Sequence, residues 1–479
     1  VDQWVVLASA TVGSLLCAPL AMKVADGGNQ AWEYALQGAL SSPKCQALHS
    51  ALLGGVAPQA KQAQKVRFDA LDAARWVASA QIVGYHISKW DRSGFSDTAS
   101  EFAGRGCFWT QMFFILSGFV LAYGELSKPP KKAREELSLP SYLARRLSSV
   151  YPLYFLSLLL IISNALLLGI TDGVSWQSLP LHVFLVQTWY PWNVSKVAIA
   201  WRWNGEAWFL SCLLFYWPFL RPITRVVRCW SVSRCAWSLV CTWCASEIVV
   251  DGCIVLGVQH LWTPIGYFHV FFAGILASRL FVLVAMVDEN GGSSSEGTRL
   301  VVDTSQTPLL LRYGCVFGYG LYFATFFMHW IPAFGSNAEL DAVGRRMLPE
   351  EANKANDALA AKVRSFLYWA TIREPLHNGG MIPIMVLVIL GAAAGEDPIA
   401  KYVFMSPPMR FLGRISYAQY ILQHVTWDWV DHSMLTPRQK MCVFPAAHLS
   451  VAYVASRFVE RPFNEWYRGR HQALVQARS

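Results

Sequence analysis

Apolar residues run along this chain in long blocks separated by short polar and basic stretches. A helix that crosses a bilayer needs about 20 mostly apolar residues. The pattern predicts about ten such helices: Leu71 to Trp90, Cys107 to Leu126, Val150 to Ile170, Glu206 to Leu220 with its flanks, and Ala236 to Gly257. The others are Pro264 to Val287, Arg312 to Pro332, His377 to Gly395, Arg410 to Val430 and Met441 to Phe458. The run Leu179 to Tyr190 is too short to cross and reads as a re-entrant or interfacial element. The expected fold class is therefore an all-α, polytopic membrane helical bundle of about ten spans plus this short segment.

Charge tests the count, because Lys and Arg collect in cytoplasmic loops. Clusters lie at Lys61, Lys65 and Arg67; from Lys128 to Arg134 with Arg145 and Arg146; and from Arg221 to Arg234. Two more lie at Lys401, Arg410 and Arg414, and from Arg457 to Arg470. All five fall on one side only if Leu179 to Tyr190 does not cross. The opposite side then receives Asp91 to Gly106, Thr171 to Asn204 with its sequon Asn193-Val194-Ser195, and Phe334 to Arg364. Outside the bundle, Val1 to Met22 is apolar enough for an extra helix or a retained signal-like segment. Gly291 to Gly297 reads as a flexible loop.

Composition agrees. The chain of 479 residues is 54% hydrophobic and only 15% charged, against about 25% charged in soluble domains. Its 21 Trp, 18 Tyr and 27 Phe suit rings at a lipid interface. A net charge of +9 that is spread over loops between apolar runs fits topology and not nucleic-acid binding, so no nucleic-acid partner is expected. Eleven cysteines at irregular spacing read as small core residues.

No phosphate-binding Gly-rich loop, Gly-x-Ser-x-Gly elbow or His-Glu-x-x-His metal pattern occurs, and no metal is expected. The chemistry stands out in the first span, at Asp72, Arg75 and His86. Eleven helical steps bring Arg75 and His86 back to one face, about 16 Å apart along the axis. Ionisable groups inside a span are costly and mark functional sites.

The surrounding residues carry a resemblance. Phe68 to Arg75 with His86 resembles the opening signature of the membrane acyltransferase-3 family, and Phe113-Phe-Ile-Leu-Ser-Gly-Phe119 resembles its second. Tyr142-Leu-Ala-Arg-Arg146 leading to Tyr151-Pro-Leu-Tyr154 is similar to the family's basic loop and third helix. Trp208-Phe-Leu-Ser211 with Phe215, Tyr216 and Pro218 resembles its fifth block. Phe411 to Tyr417 with Tyr420 and His424 resembles its late block, and Phe458-Val-Glu-Arg-Pro462 its ending. The blocks keep family order from about residue 67 to 463. Two positions depart: Gln111 stands where the family usually has Asp, and Leu213 where it often has Glu.

The resemblance implies an integral, multi-pass O-acyltransferase over residues 61–470, between an N-terminal extension of residues 1–60 and a tail of residues 471–479. An acyl group, with acetyl expected, would pass from acyl-CoA to a hydroxyl of a glycan, lipid or small molecule. His86 would act as general base or carry the acyl group covalently. Its alternative is a histidine that only bonds a neighbouring helix. Arg75 would bind a CoA phosphate or the thioester oxygen, against a structural pair with Asp72. Arg145, Arg146 and Tyr154 would hold acyl-CoA, the arginines otherwise setting topology. The bilayer, and other membrane proteins, are the remaining expected partners.

Other features have plainer readings. Glu247 and Asp251 line a helix contact or replace the missing acids. His424 and Asp428, four apart, have the spacing of a histidine oriented by a carboxylate, with a purely structural role the favoured reading. Ser117, Gly118 and Phe119 suit close packing, and Cys241 with Cys244 suits packing over metal or redox chemistry. His86 to Asp91 and Glu296 to Arg299 match the glycerolipid acyltransferase patterns but fall on opposite membrane sides, which argues against a joint site. Rival functions are a non-catalytic structural subunit, favoured by Gln111 and Leu213, and a transporter, disfavoured by the lack of an internal repeat.

Overall fold

The computed structural model describes residues 63–64, 68–90, 102–128, 138–169, 175–189, 199, 202–255, 262–288, 300–303, 308–328 and 376–476. Val1 to Met22, the cluster Lys61, Lys65 and Arg67, the sequon at Asn193, Gly291 to Gly297 and Phe334 to Arg364 lie outside the described residues. Among the described residues the regular structure is helical apart from a small antiparallel sheet, unforeseen in the sequence, of β1 (Ala63–Gln64), β2 (Met286–Asp288) and β3 (Leu300–Asp303) in the order β1-β3-β2.

The helices follow the apolar blocks. They are α1 (Phe68–Trp90), α2 (Thr110–Leu126), α3 (Leu139–Leu167), the five-residue α4 (Leu179–Val183) and α5 (Trp208–Val227). Next come α6 (Val232–Val255), α7 (Pro264–Ala285), α8 (Leu309–Arg312), α9 (Gly314–Met328) and α10 (Ile382–Ala394). The last four are α11 (Pro407–Ile421), α12 (Gln423–Asp431), α13 (Pro437–Ala455) and α14 (Arg461–Gln476). Local chemistry sets several starts. Proline opens α11 and α13, where its missing N–H costs nothing. Thr436 and Gln439 close a capping box on α13.

Four helical stretches are long and apolar enough to cross a membrane: Phe102–Leu126, Leu139–Leu167, Pro264–Ala285 and Pro437–Arg470. Two shorter apolar helices are Gly314–Ala324 and Ile382–Ala394. Length and hydropathy among the described residues thus support four spans and not the expected ten. The remaining candidates are short, as in α9 and α10, or carry charge, as Asp72 and Arg75 do in α1. The five residues of α4 are far too few to cross.

Three of the basic clusters, around Lys128 to Arg146, Arg221 to Arg234 and Arg457 to Arg470, gather at one end of the bundle. Arg146 and Arg221 both lie over the Tyr142 ring, at 5.3 Å and 4.4 Å from its centre. Arg228 donates to the carbonyls of Lys128 and Glu125. Ala144 and Ser148 line one cavity with Trp466 and Arg470.

Helices α2 and α7 pack most intimately. A Cβ on Gly118 would lie 2.2 Å from the Phe271 carbonyl oxygen, and one on Gly274 would lie 2.1 Å from that of Ile115. The two backbones touch because neither glycine has a side chain, as the Ser117-Gly118-Phe119 reading expects. Gly118→Val should therefore destabilise the bundle by about 1–3 kcal/mol, seen as a lower unfolding midpoint in detergent. Gly124→Ala, on the same helix but facing open space, is the control, and equal midpoints for the two variants would refute this contact.

Candidate active site

Three elements run in the same direction through the site. Arg75 of α1 donates to Ser416 Oγ (2.7 Å) and to the Gly413 carbonyl (3.3 Å), and His86, further along, meets Gln423. Helix α11 leading into α12 is therefore parallel to α1. Helix α3 keeps the same register: Tyr417 donates to the Val150 carbonyl, Asn204 links Ser157 to the Ile421 carbonyl, and Asn164 reaches Asp428. The face shared by Arg75 and His86, expected from helical phase, is the face packed on residues 407–431. A Cβ on Gly413 would lie 2.8 Å from the Asp72 carbonyl carbon, so a glycine is needed where the helices cross.

Gln423 sets the protonation pattern of His86. Its Nε2 donates to the Tyr420 carbonyl (2.9 Å), an oxygen that can only accept. Its Oε1 therefore faces His86 Nδ1 at 3.0 Å, and that nitrogen must carry the proton. The lone pair of a neutral His86 then sits on Nε2, the arrangement of a general base.

Glu206 lies beneath this pair with its side chain 1% exposed, Oε1 at 3.6 Å from His86 Nδ1. Its Oε2 is 3.9 Å from His424 Nδ1, and His424 Nε2 is 3.5 Å from Asp428 Oδ1. Asp428 is fixed in turn. Trp429 Nε1 donates to Asn164 Oδ1 (3.0 Å), which turns Asn164 Nδ2 onto Asp428 Oδ2 (3.1 Å). The 3-10 turn Gly205–Ala207 that carries Glu206 is tethered by Tyr420, whose hydroxyl donates to the Glu206 carbonyl (2.8 Å), and by Asn204. Phe113 packs against Phe209 at 5.4 Å and Tyr420 at 5.0 Å, so three separate sequence blocks meet behind the site.

Arg75 is not beside His86. It pairs with Asp72 at 3.0 Å, the pairing weighed from sequence, with about one third of its side chain exposed (33%). At the basic end Arg145 is exposed and Arg146 half-buried. Beside them a cavity of about 580 Å³ opens between α3 and α14, lined by Ala144, Leu147, Ser148, Tyr151, Trp466 and Arg470 among others. Tyr154 is not gathered with the two arginines: its ring is fully buried and its hydroxyl donates to the His182 carbonyl (2.6 Å). Of the cysteines described, Cys107, Cys212, Cys235 and Cys315 are buried, whereas Cys229, Cys241 and Cys442 are exposed. The side chains of Glu247 and Asp251, together with Asp91, Glu296 and Arg299, lie outside the described residues.

The acyltransferase-3 family model, described as an acyltransferase domain, matches residues 68–457, from the start of α1 to just past the end of α13. The chain belongs to this family. Acyltransferase MdmB of Streptomyces mycarofaciens is 31% identical over 195 residues, which is 38% of this chain and 44% of that protein. The match thus spans less than half the length of this relative. No solved structure matches the chain.

The two departures from the family pattern have physical readings. Gln111 is fully buried, and its Oε1 accepts from the Met381 backbone N–H (3.2 Å), so an amide satisfies the start of α10. Leu213 is a buried core residue. An acid is present seven residues earlier, at Glu206, about two helical turns back. Sequence reading missed Glu206 as a site residue, taking it only as the start of a span. It also missed Gln423 and Asn164. A lone acid next to Asn204-Gly205 inside an apolar block was the available signal.

If Gln423 holds the Nδ1–H form, Gln423→Leu should release His86 into a mixture of tautomers. Nitrogen NMR of the labelled imidazole checks this, and an unchanged spectrum would remove Gln423 from that role.

Proposed function

We propose that the chain is a multi-pass integral membrane acyltransferase that moves an acyl group, acetyl first among them, from acyl-CoA to a hydroxyl of a glycan, lipid or small molecule. The observation that carries this reading is the His86 imidazole, anchored at Nδ1 by Gln423 and backed by the buried carboxylate of Glu206. His86 Nε2 takes the acceptor proton as its oxygen attacks the thioester carbon. The Glu206 charge stabilises the imidazolium that forms. When the tetrahedral intermediate collapses, the CoA thiolate leaves and takes the proton back from His86. The resting state is thereby restored.

Arg75 sits about 16 Å from His86 along α1, too far to touch the same carbonyl. Its place near the basic end supports an anchoring role on the donor's phosphates. Arg145, Arg146 and the cavity beside them receive the nucleotide end of acyl-CoA in this scheme, and the shorter apolar helices complete the membrane crossing. The structural-subunit alternative drew its support from missing acids, and Glu206 weakens it by supplying one.

His86→Ala should lower transfer from acetyl-CoA to a responsive hydroxyl acceptor by about 10²- to 10⁴-fold while the bundle stays folded. Purified protein tested with a panel of acceptors decides this, and full activity in His86→Ala would remove the residue from the mechanism. Arg75→Lys should raise the KM for acetyl-CoA, because an ammonium cannot reproduce the guanidinium fork. An unchanged KM would leave Arg75 with only its structural bonds to Asp72 and Ser416.

A further inference from the structure

The Glu206 carboxylate is almost wholly enclosed, at 1% exposure, and its Oε2 accepts no hydrogen bond. An isolated buried charge is unfavourable unless paired. His86 is neutral before transfer in the proposed mechanism, with its Nδ1 proton directed at Gln423. On the other side of the carboxylate stands His424, the imidazole nearest Glu206 Oε2 among the described residues.

His424 bridges two acids. Nδ1 faces Glu206 Oε2 at 3.9 Å and Nε2 faces Asp428 Oδ1 at 3.5 Å. His424 is 33% exposed, while Asp428 is 10% exposed. It therefore joins the enclosed carboxylate to the surface of the bundle. Behind Asp428 stand Asn164, held by Trp429, and His432, whose Nδ1 lies 2.9 Å from the Asp428 carbonyl. Such a chain of oriented partners is what holds a working side chain in one geometry.

We infer that His424 is a positioning residue of the transfer reaction, an imidazolium that Asp428 orients and that holds the Glu206 carboxylate in place beneath His86. The inference rests on the acyl-transfer reading and adds a second histidine to it. With His424 charged, the group of His86, Glu206, His424 and Asp428 carries one net negative charge at rest. It becomes neutral when His86 takes the acceptor proton. Positive charge on His86 is therefore favoured at the moment it develops. Without His424, the two acids face a neutral His86 with no imidazole between them.

The test uses the purified full chain with acetyl-CoA and the responsive acceptor, comparing native protein, His424→Ala, Asp428→Asn and the double variant. Unfolding midpoints are recorded for each. His424→Ala should lower kcat by about 10- to 100-fold, less than loss of the base itself, with the KM for acetyl-CoA little changed. Added imidazole should restore part of that loss, since the vacated ring site opens at the bundle surface, whereas a purely structural defect would not respond. Asp428→Asn should lower kcat in the same direction, and the double variant should be no worse than His424→Ala, because both act through one group. Native kcat in His424→Ala, a loss that imidazole leaves untouched in folded protein, or losses that multiply in the double variant would each overturn the inference. Should His424→Ala not fold, native kcat in the near-isosteric Asp428→Asn overturns it equally. A native protein that transfers no acyl group defeats the acyl-transfer reading itself, and the inference with it.

Discussion

A carboxylate enclosed among helices keeps its charge only where the chain brings polar partners to it, and Glu206 imposes that demand on everything around it. The turn that carries it is pinned through Asn204 to Ser157 and Ile421, and through the Tyr420 hydroxyl to its own carbonyl. Its two oxygens face imidazoles from α1 and α12. Four segments distant in sequence are thus held by one charge. A large rotation of α3 or α12 would leave that charge exposed to apolar surroundings. The interior here is polar by necessity, and the hydrogen bonds of Asn204, Tyr420 and Gln423 fix how its groups face one another.

The parallel course of α1, α3 and α11 with α12 turns this demand into a register. Small residues set the spacing of α1 and α11: Gly413 meets the backbone at Asp72, and Ser79 donates to the Ser416 carbonyl. Arg75 then locks the near end by bonding Ser416 and Gly413, and His86 meets Gln423 at the far end. A shift of one residue along either helix would move His86 by about 1.5 Å and 100° relative to Gln423, enough to lose the tautomer. The structural pairing of Arg75 with Asp72 and the placement of His86 are therefore parts of the same contact. A binding role for Arg75 adds to that contact and does not replace it.

Much of this arrangement was legible from residue order. The shared phase of Arg75 and His86 followed from helical geometry, close packing at Gly118 followed from residue size, and the His424–Asp428 pair followed from its spacing of four. Glu206, Gln423 and Asn164 were not legible as site residues, because each acts across sequence separations that periodicity does not encode. Tyr154 sits apart from the basic loop that suggested a binding role: its ring is buried and its hydroxyl donates to the His182 carbonyl. The span count was less legible. Apolar runs drew Leu71 to Trp90 and Arg410 to Val430 into the count despite their charged residues, whereas by length and apolar character four stretches among the described residues qualify.

Position along the helices also bears on how two substrates could meet. Arg146 on α3 and Phe68 on α1 lie toward the basic end, and each is eighteen residues before Asn164 and His86 respectively, or about 27 Å of helix. A nucleotide held at the basic end would have to send its thioester inward along most of that length to reach His86. An acceptor arriving from the His424 end would have only a short way to travel, since that imidazole is partly exposed at the bundle surface. The chemistry is thus closer to one face of the bundle than to the other. Such asymmetry suits transfer from a donor on the basic side to a hydroxyl presented on the opposite side, with the enclosed Glu206 stabilising the charge that develops where the two meet.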